Sequence, residues 1–210
     1  MNILRVDFAE LYRRHLCRHS QPGINVAHLG SVAITYFGGF LLIAHLLSLL
    51  EAPPWLLPAA LVPYFVVLAC NLPVRLLAVS VLGFASLLAA VFLLPPLPTW
   101  LALPLSAVLI VLGHKSQAWS HRIWTEQLDM AEFTTKYKKG LALFLLLSVY
   151  ELPILLNYLV FVRRHAPSAA ACTNMPLGEH TARRPGELVK DAADEVGTEP
   201  VEVGRGRLPR

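Results

Sequence analysis

The chain has 210 residues, of which 55% are hydrophobic and only 15% charged, against roughly 25% charged in ordinary soluble domains. A water-soluble domain of this length needs a polar shell that such a composition cannot supply. The apolar residues also fall in long uncharged runs, the mark of bilayer spans rather than of one globular core. The formal charge of +4 comes from basic residues that flank apolar runs and form no stripe with interleaved aromatics, so it reads as membrane topology, and a nucleic-acid partner is not expected.

Residues 1–22 read as an amphipathic N-terminal helix. Ile3, Leu4, Phe8, Leu11, Tyr12 and Leu16 recur at helical spacing, with Arg5, Asp7, Glu10, Arg13, Arg14 and Arg18 between them. Charges spread through this stretch also make it unlike a cleavable signal. Such a helix can lie in the membrane interface or pack beneath the spans, and Pro22 with Gly23 ends it. A membrane domain over 23–162 follows, with spans at about 26–50, 55–70, 76–94, 100–113 and 141–162. The turns between them carry the prolines of EAPP (51–54), NLPVR (71–75) and PPLPT (95–99), and Trp55 and Trp100 open two spans where indole rings favour the headgroup level. The stretch 114–140 is polar and charged, lacks Gly and Pro until its end, and reads as a helix outside the bilayer core. From Arg163 the chain turns polar and poor in aromatics, so 163–210 is expected to be a disordered tail. The expected fold is therefore all-α: a polytopic membrane helical bundle of four to five spans.

Charge sets the expected orientation. Arg13, Arg14 and Arg18 precede the first span, and Lys115, Arg122, Lys136, Lys138 and Lys139 lie in the 114–140 segment, whereas the turns at 51–54 and 95–99 hold no Lys or Arg. The N-terminus and the 114–140 segment are thus expected on the cytoplasmic side of an inner membrane if the source is bacterial, or of the endoplasmic reticulum if it is eukaryotic. Arg163 and Arg164 conflict with five full crossings, and a re-entrant last run broken at Pro153 would remove the conflict.

Two groups of residues stand out chemically. His15 and His19 are four apart and His114 and His121 seven apart, so each pair shares a helical face, and His28 follows His19 closely. By the charge argument all five lie at one membrane surface, where neutral imidazoles can bind a metal ion. Read singly, each is an ordinary interfacial histidine, since no specific zinc-ligand pattern such as HExxH is present. His45 is isolated in the first span. Cys17, Cys70 and Cys172 are odd in number and lack CxxC spacing, which argues against a disulfide framework or a thiolate site. The second outlier is Glu151, in the middle of LLLSVYELPILL. An ionised carboxylate at that depth is costly and must pair, line a wet cavity or stay protonated. It is a candidate for a polar active cavity, or equally a structural hydrogen-bond partner of Tyr150, Asn157 or a neighbouring span.

The stretch YRRHLCRHSQPGINVAHLG (12–30) resembles the N-terminal signature of the membrane 2-hydroxy fatty acid dioxygenase family, through His19, Pro22, Asn25, His28 and Gly30. A second block, QAWSHRIWTE (117–126), is similar through Gln117, His121 and Glu126, while His114 has no clear counterpart. The two blocks cover about thirty residues. The resemblance implies an Fe(II)-dependent enzyme of fatty acid α-oxidation, acting on a 2-hydroxy fatty acid with O₂. The matching blocks supply His19, His28 and His121 as expected metal ligands, and His114 joins them because it shares a helical face with His121; Glu126 of the second block and Glu151 from the last apolar run are the expected catalytic carboxylates, and Arg122 or Lys115 would hold the substrate carboxylate. Two rival readings use the same residues. One is a non-enzymatic transporter or assembly factor working through Glu151, and the other is a different lipid-modifying membrane metalloenzyme.

Overall fold

The computed structural model describes residues 5–124, 131–138 and 140–161. The tail expected over 163–210 and the candidate Glu126 lie outside the described residues. Among the described residues the chain is all helical. Helix α1 (Phe8–Arg18) starts where the Asp7 side chain accepts the Glu10 N–H at 3.0 Å, a cap that satisfies one of the first-turn donors. It ends at His19, whose backbone leaves the helical region. Leu11, Arg14, His15, Leu16 and Cys17 are buried, so of the two placements open to an amphipathic helix, α1 takes the one packed beneath the spans. Cys17 is wholly buried and disulfide-bonded, against the argument from spacing, which is blind to pairs that folding makes.

Helix α2 (Pro22–Leu49) begins with Pro22 in its first turn, where a missing N–H costs nothing. Its 28 residues extend about 42 Å, more than a bilayer core of about 30 Å. The run expected as a second span divides into α3 (Leu56–Ala60) and α4 (Val62–Asn71). The break falls at Leu61, just before Pro63, which has no N–H to give the carbonyl four residues back, that of Ala59. Helix α5 (Val74–Phe92) is a regular span. Helix α6 (Thr99–Ile123) runs straight through residue 113, so the polar segment is not a separate helix from 114 onward. Its first turns extend the fourth span, and among the described residues of its later part α7 (Ala131–Lys136) is helical. The loss of hydrophobicity at 114 marks where the helix leaves the apolar layer, not where it stops, because nothing there breaks helical hydrogen bonding.

Helix α8 (Leu141–Leu156) contains Pro153 and passes into a π-helical turn, Asn157–Phe161. Pro153 has no N–H to give the carbonyl four residues back, that of Val149. The Tyr64 hydroxyl donates to that carbonyl at 2.8 Å, and the Tyr36 hydroxyl donates to the neighbouring Ser148 carbonyl at 2.8 Å. The turn that carries Glu151 is therefore pinned from α2 and α4.

Four helices, Pro22–Leu49, Val74–Phe92, Thr99–Ile123 and Leu141–Phe161, are long and apolar enough to cross a membrane. Large apolar side chains such as Val74, Leu82, Leu93, Val108 and Phe144 are exposed along them, which suits lipid and would be a liability in water. Trp55 and Trp100 are 62% and 75% exposed, both at the end of the bundle remote from the histidines. The core centres on Phe84, whose ring lies 5.0 Å from Tyr36, 5.1 Å from Tyr64 and 5.6 Å from Phe65.

Helices α2 and α6 pack closely and antiparallel. Ser31 Oγ meets Ser116 Oγ at 3.0 Å. A Cβ on Gly113 would fall 2.6 Å from the Ser31 carbonyl oxygen, and one on Gly38 would fall 2.9 Å from Leu109. Small residues at these crossings let the two backbones approach. The pairs 31 with 116 and 38 with 109 step in opposite directions along the two helices. Continuing that register toward the start of α2 brings residue 28 beside the last turn of α6, where His121 stands.

Candidate metal centre

The register of α2 against α6 and the turn between α1 and α2 together build a triangle of imidazoles. Ring centroids are 4.8 Å apart for His19 and His28, 5.0 Å for His19 and His121, and 4.8 Å for His28 and His121. One ring nitrogen from each lies within 4.8 Å of the others, so the three can hold a metal ion. Simple geometry tests the fit. A metal–nitrogen bond of about 2.1 Å plus a ring radius of roughly 1.1 Å puts each centroid roughly 3.2 Å from a shared ion, and rings about 90–110° apart around it then stand about 4.5–5.2 Å from one another. The observed centroids fall within that range, and since bonds of about 2.1 Å need nitrogens about 3.0–3.4 Å apart, the nitrogens, now within 4.8 Å of one another, would close in on an ion by turning the rings. Stacked rings alone reach similar spacing; the hydrogen-bond accounting separates the two cases. Both ring nitrogens of His19 and Nε2 of His28 are buried without a hydrogen-bond partner. Orphaned buried nitrogens are costly unless something occupies them.

Asn25, fully buried, fixes the turn that delivers His19. Its amide nitrogen donates to the His19 carbonyl at 2.8 Å and the Gln21 carbonyl at 3.0 Å, leaving its oxygen to face His15 Nε2 at 2.5 Å. Because that oxygen can only accept, His15 carries its proton on Nε2. His15 is thereby a supporting residue rather than a ligand: its ring stacks on His19 at 4.6 Å and backs it from the side of α1. Burial, ahead of the neighbouring positive charges, lowers the His15 pKa to about 4. Burial likewise lowers that of His19 strongly, with further lowering by the charges of His15, His28 and His121. The neutral, lone-pair-bearing form that a metal requires is thus the resting form at neutral pH.

Behind the triangle, Glu151 Oε1 stands 3.7 Å from His28 Nδ1 and accepts a hydrogen bond from Gln117 Nε2. Trp124, one turn past His121, closes over the start of α2, where any side chain at Gly23 would meet its indole.

The structure brings His19, His28 and His121 together and leaves His114 out. His114 is exposed, and although seven residues put it on the face of His121, they also put it about 10.5 Å away along the axis. Shared face is a statement about angle alone, and that is why the spacing misled. Lys115 and Arg122 are both exposed, Lys115 at the end of an apolar groove lined by Val108, Val111 and Leu112 on the outer side of α6. The role of Asn25 as a clamp on the α1–α2 turn was not read from the sequence, although a lone Asn among apolar residues at the start of a span was a usable signal.

No family model, no curated protein and no solved structure matches the chain.

Proposed function

We propose that this protein is a membrane-embedded non-haem metal enzyme that binds Fe(II) through His19, His28 and His121 and oxidises 2-hydroxy fatty acids in α-oxidation. The observation that supports it best is selective convergence. The three histidines that match the two dioxygenase-like blocks meet in one triangle, and His114, which has no counterpart there, does not. Three imidazoles on one side of an ion leave positions for O₂ and for the hydroxyl and carboxylate of a 2-hydroxy acid. Bound there, Fe(II) would supply the activation of O₂. The reaction balances when the bond between C1 and C2 breaks, C1 leaves as carbon dioxide, one oxygen atom enters the new carboxylate and the other leaves as water.

The chain's own residues set the rest. Asn25 and His15 hold His19 in place, and Trp124 closes over the start of α2. The exposed apolar faces of the spans accept an acyl tail, worth about 0.8 kcal/mol per buried CH₂. Arg122, on the same turn as His121, is the nearer candidate for the substrate carboxylate, and Lys115 the farther. Glu126, five residues after His121 in sequence, is the remaining candidate for a catalytic carboxylate. The excess of Lys and Arg at the N-terminus and in the 114–140 segment supports a cytoplasmic location for both.

Detergent-purified protein loaded with Fe(II) should consume O₂ with 2-hydroxypalmitate and yield the acid one carbon shorter. Metal binding without that product would favour a different lipid-modifying metalloenzyme. Absence of metal would favour a non-enzymatic membrane protein.

A further inference from the structure

We infer that Glu151 is a positioning residue of the metal centre: it orients His28 from behind so that Nε2 faces the ion, and Gln117 holds Glu151 in place. The inference rests on the metal reading of the histidine triangle and goes beyond it in assigning roles to α8 and to Gln117.

Three observations carry it. First, the two nitrogens of His28 have opposite surroundings. Nδ1 faces Glu151 Oε1 at 3.7 Å, whereas Nε2 is buried with no hydrogen-bond partner. A carboxylate on Nδ1 selects the tautomer with its proton on Nδ1 and leaves the Nε2 lone pair free, the arrangement in which ligating histidines are commonly held. Secondly, Glu151 is not itself one of the group whose ligand atoms converge; it lies one layer out, behind one ligand. Thirdly, the carboxylate is fixed. Gln117 Nε2 donates to the same oxygen, and Gln117 lies one turn before His121 on α6, so one helix supplies both a ligand and the clamp on the carboxylate behind another. The Tyr36 and Tyr64 hydroxyls pin the carbonyls of Ser148 and Val149, just before Glu151. A carboxylate on a membrane helix is costly, and among the described residues this one is met by the ligand His28 and by Gln117, one turn before His121. At 3.7 Å the contact is an ion-pair approach and not yet a hydrogen bond; a metal on Nε2 would draw it shorter by making the Nδ1 proton more acidic.

The test uses Co(II) as the probe, titrated into full-length protein in detergent, with its visible absorption reporting histidine ligation and thermal unfolding reporting stability. Wild type should bind Co(II) and gain melting temperature. Glu151→Gln should weaken Co(II) binding about 10–100-fold and shrink the Co(II)-induced gain, while the metal-free melting temperature stays level or rises because a partly buried carboxylate on a membrane helix has been removed. Gln117→Ala should weaken binding in the same direction, and the double variant should add little to Glu151→Gln, since both act through His28. If Glu151→Gln binds Co(II) as wild type does while His28→Ala does not bind, the positioning role is overturned and the metal centre stands. A drop in metal-free stability with unchanged Co(II) affinity would make Glu151 a structural partner only. If wild type binds no Co(II), the metal reading falls and this inference with it.

Discussion

Neighbouring histidines of this chain have opposite fates, and single hydrogen bonds decide which. His15 and His19 are one turn apart, yet His15 Nε2 is committed to Asn25 while both nitrogens of His19 are left for something else. Alanine at His19, His28 or His121 should therefore lower metal affinity by at least about tenfold, while His45→Ala, in mid-span, should leave metal content unchanged. Asn25→Ala should lower metal content without removing a ligand, because it frees the turn that carries His19. Acidity offers a second check. The His15 pKa is pushed down to about 4 and that of His19 is lowered too, whereas an unfolded histidine titrates near about 6.5. The unfolded state thus takes up protons first as pH falls. Metal-free protein should keep its full stability above pH about 6.5 and lose up to about 1.4 kcal/mol per pH unit for each such group below it, toward pH about 4 for His15. A melting temperature flat from pH 7 to roughly 4.5 would contradict this. At this scale the sequence was informative about residue types and silent about distances. Facing histidines could be counted from helical spacing, but Asn25, Gln117 and the exclusion of His114 depend on axial rise and on contacts between helices.

The pairing of α2 with α6 converts two distant stretches of sequence into one site. A Cβ at Gly113 meets the Ser31 carbonyl oxygen at 2.6 Å, a backbone atom that cannot rotate away. Gly113→Val should therefore push the helices apart, lower the melting temperature in detergent and reduce metal content together. Gly30→Ala is the control: although Gly30 belongs to the dioxygenase-like block, a Cβ there meets nothing within 4 Å, and that substitution should be near neutral. Tyr64→Phe removes the hydroxyl that replaces the hydrogen bond lost at Pro153 and should cost about 1 kcal/mol, measured by thermal unfolding in detergent. Most of the helices were legible because apolar runs bounded by proline turns are a strong signal, as in α2 and α5. The end of the fourth span was not. A change from apolar to polar residues at 114 moves the chain between solvents without breaking a helix, so α6 runs on to Ile123 and carries His121 with it.

For the whole molecule, composition already required a bilayer, and the four long apolar helices agree with it. The last run carries the remaining topological information. Lys136, just before α8, pairs with Glu10 at 2.5 Å, and Tyr158, near its end, donates to the Ser20 carbonyl at 3.3 Å. Both flanks of α8 are thus tied to the α1 segment. With Cys70 replaced by serine, cysteines placed at Ser20, Lys138 and Phe161 should all label from one side of the membrane and a cysteine at Thr99 from the other; labelling of Phe161 with Thr99 would mean that the last run crosses. The most direct test of the account is metal analysis of the detergent-purified protein beside its His19→Ala, His28→Ala and His121→Ala variants. The account predicts stoichiometric metal in wild type and its loss from each variant, with His114→Ala and His45→Ala retaining it. Wild-type protein without stoichiometric metal, or the three variants holding as much as wild type, would contradict it.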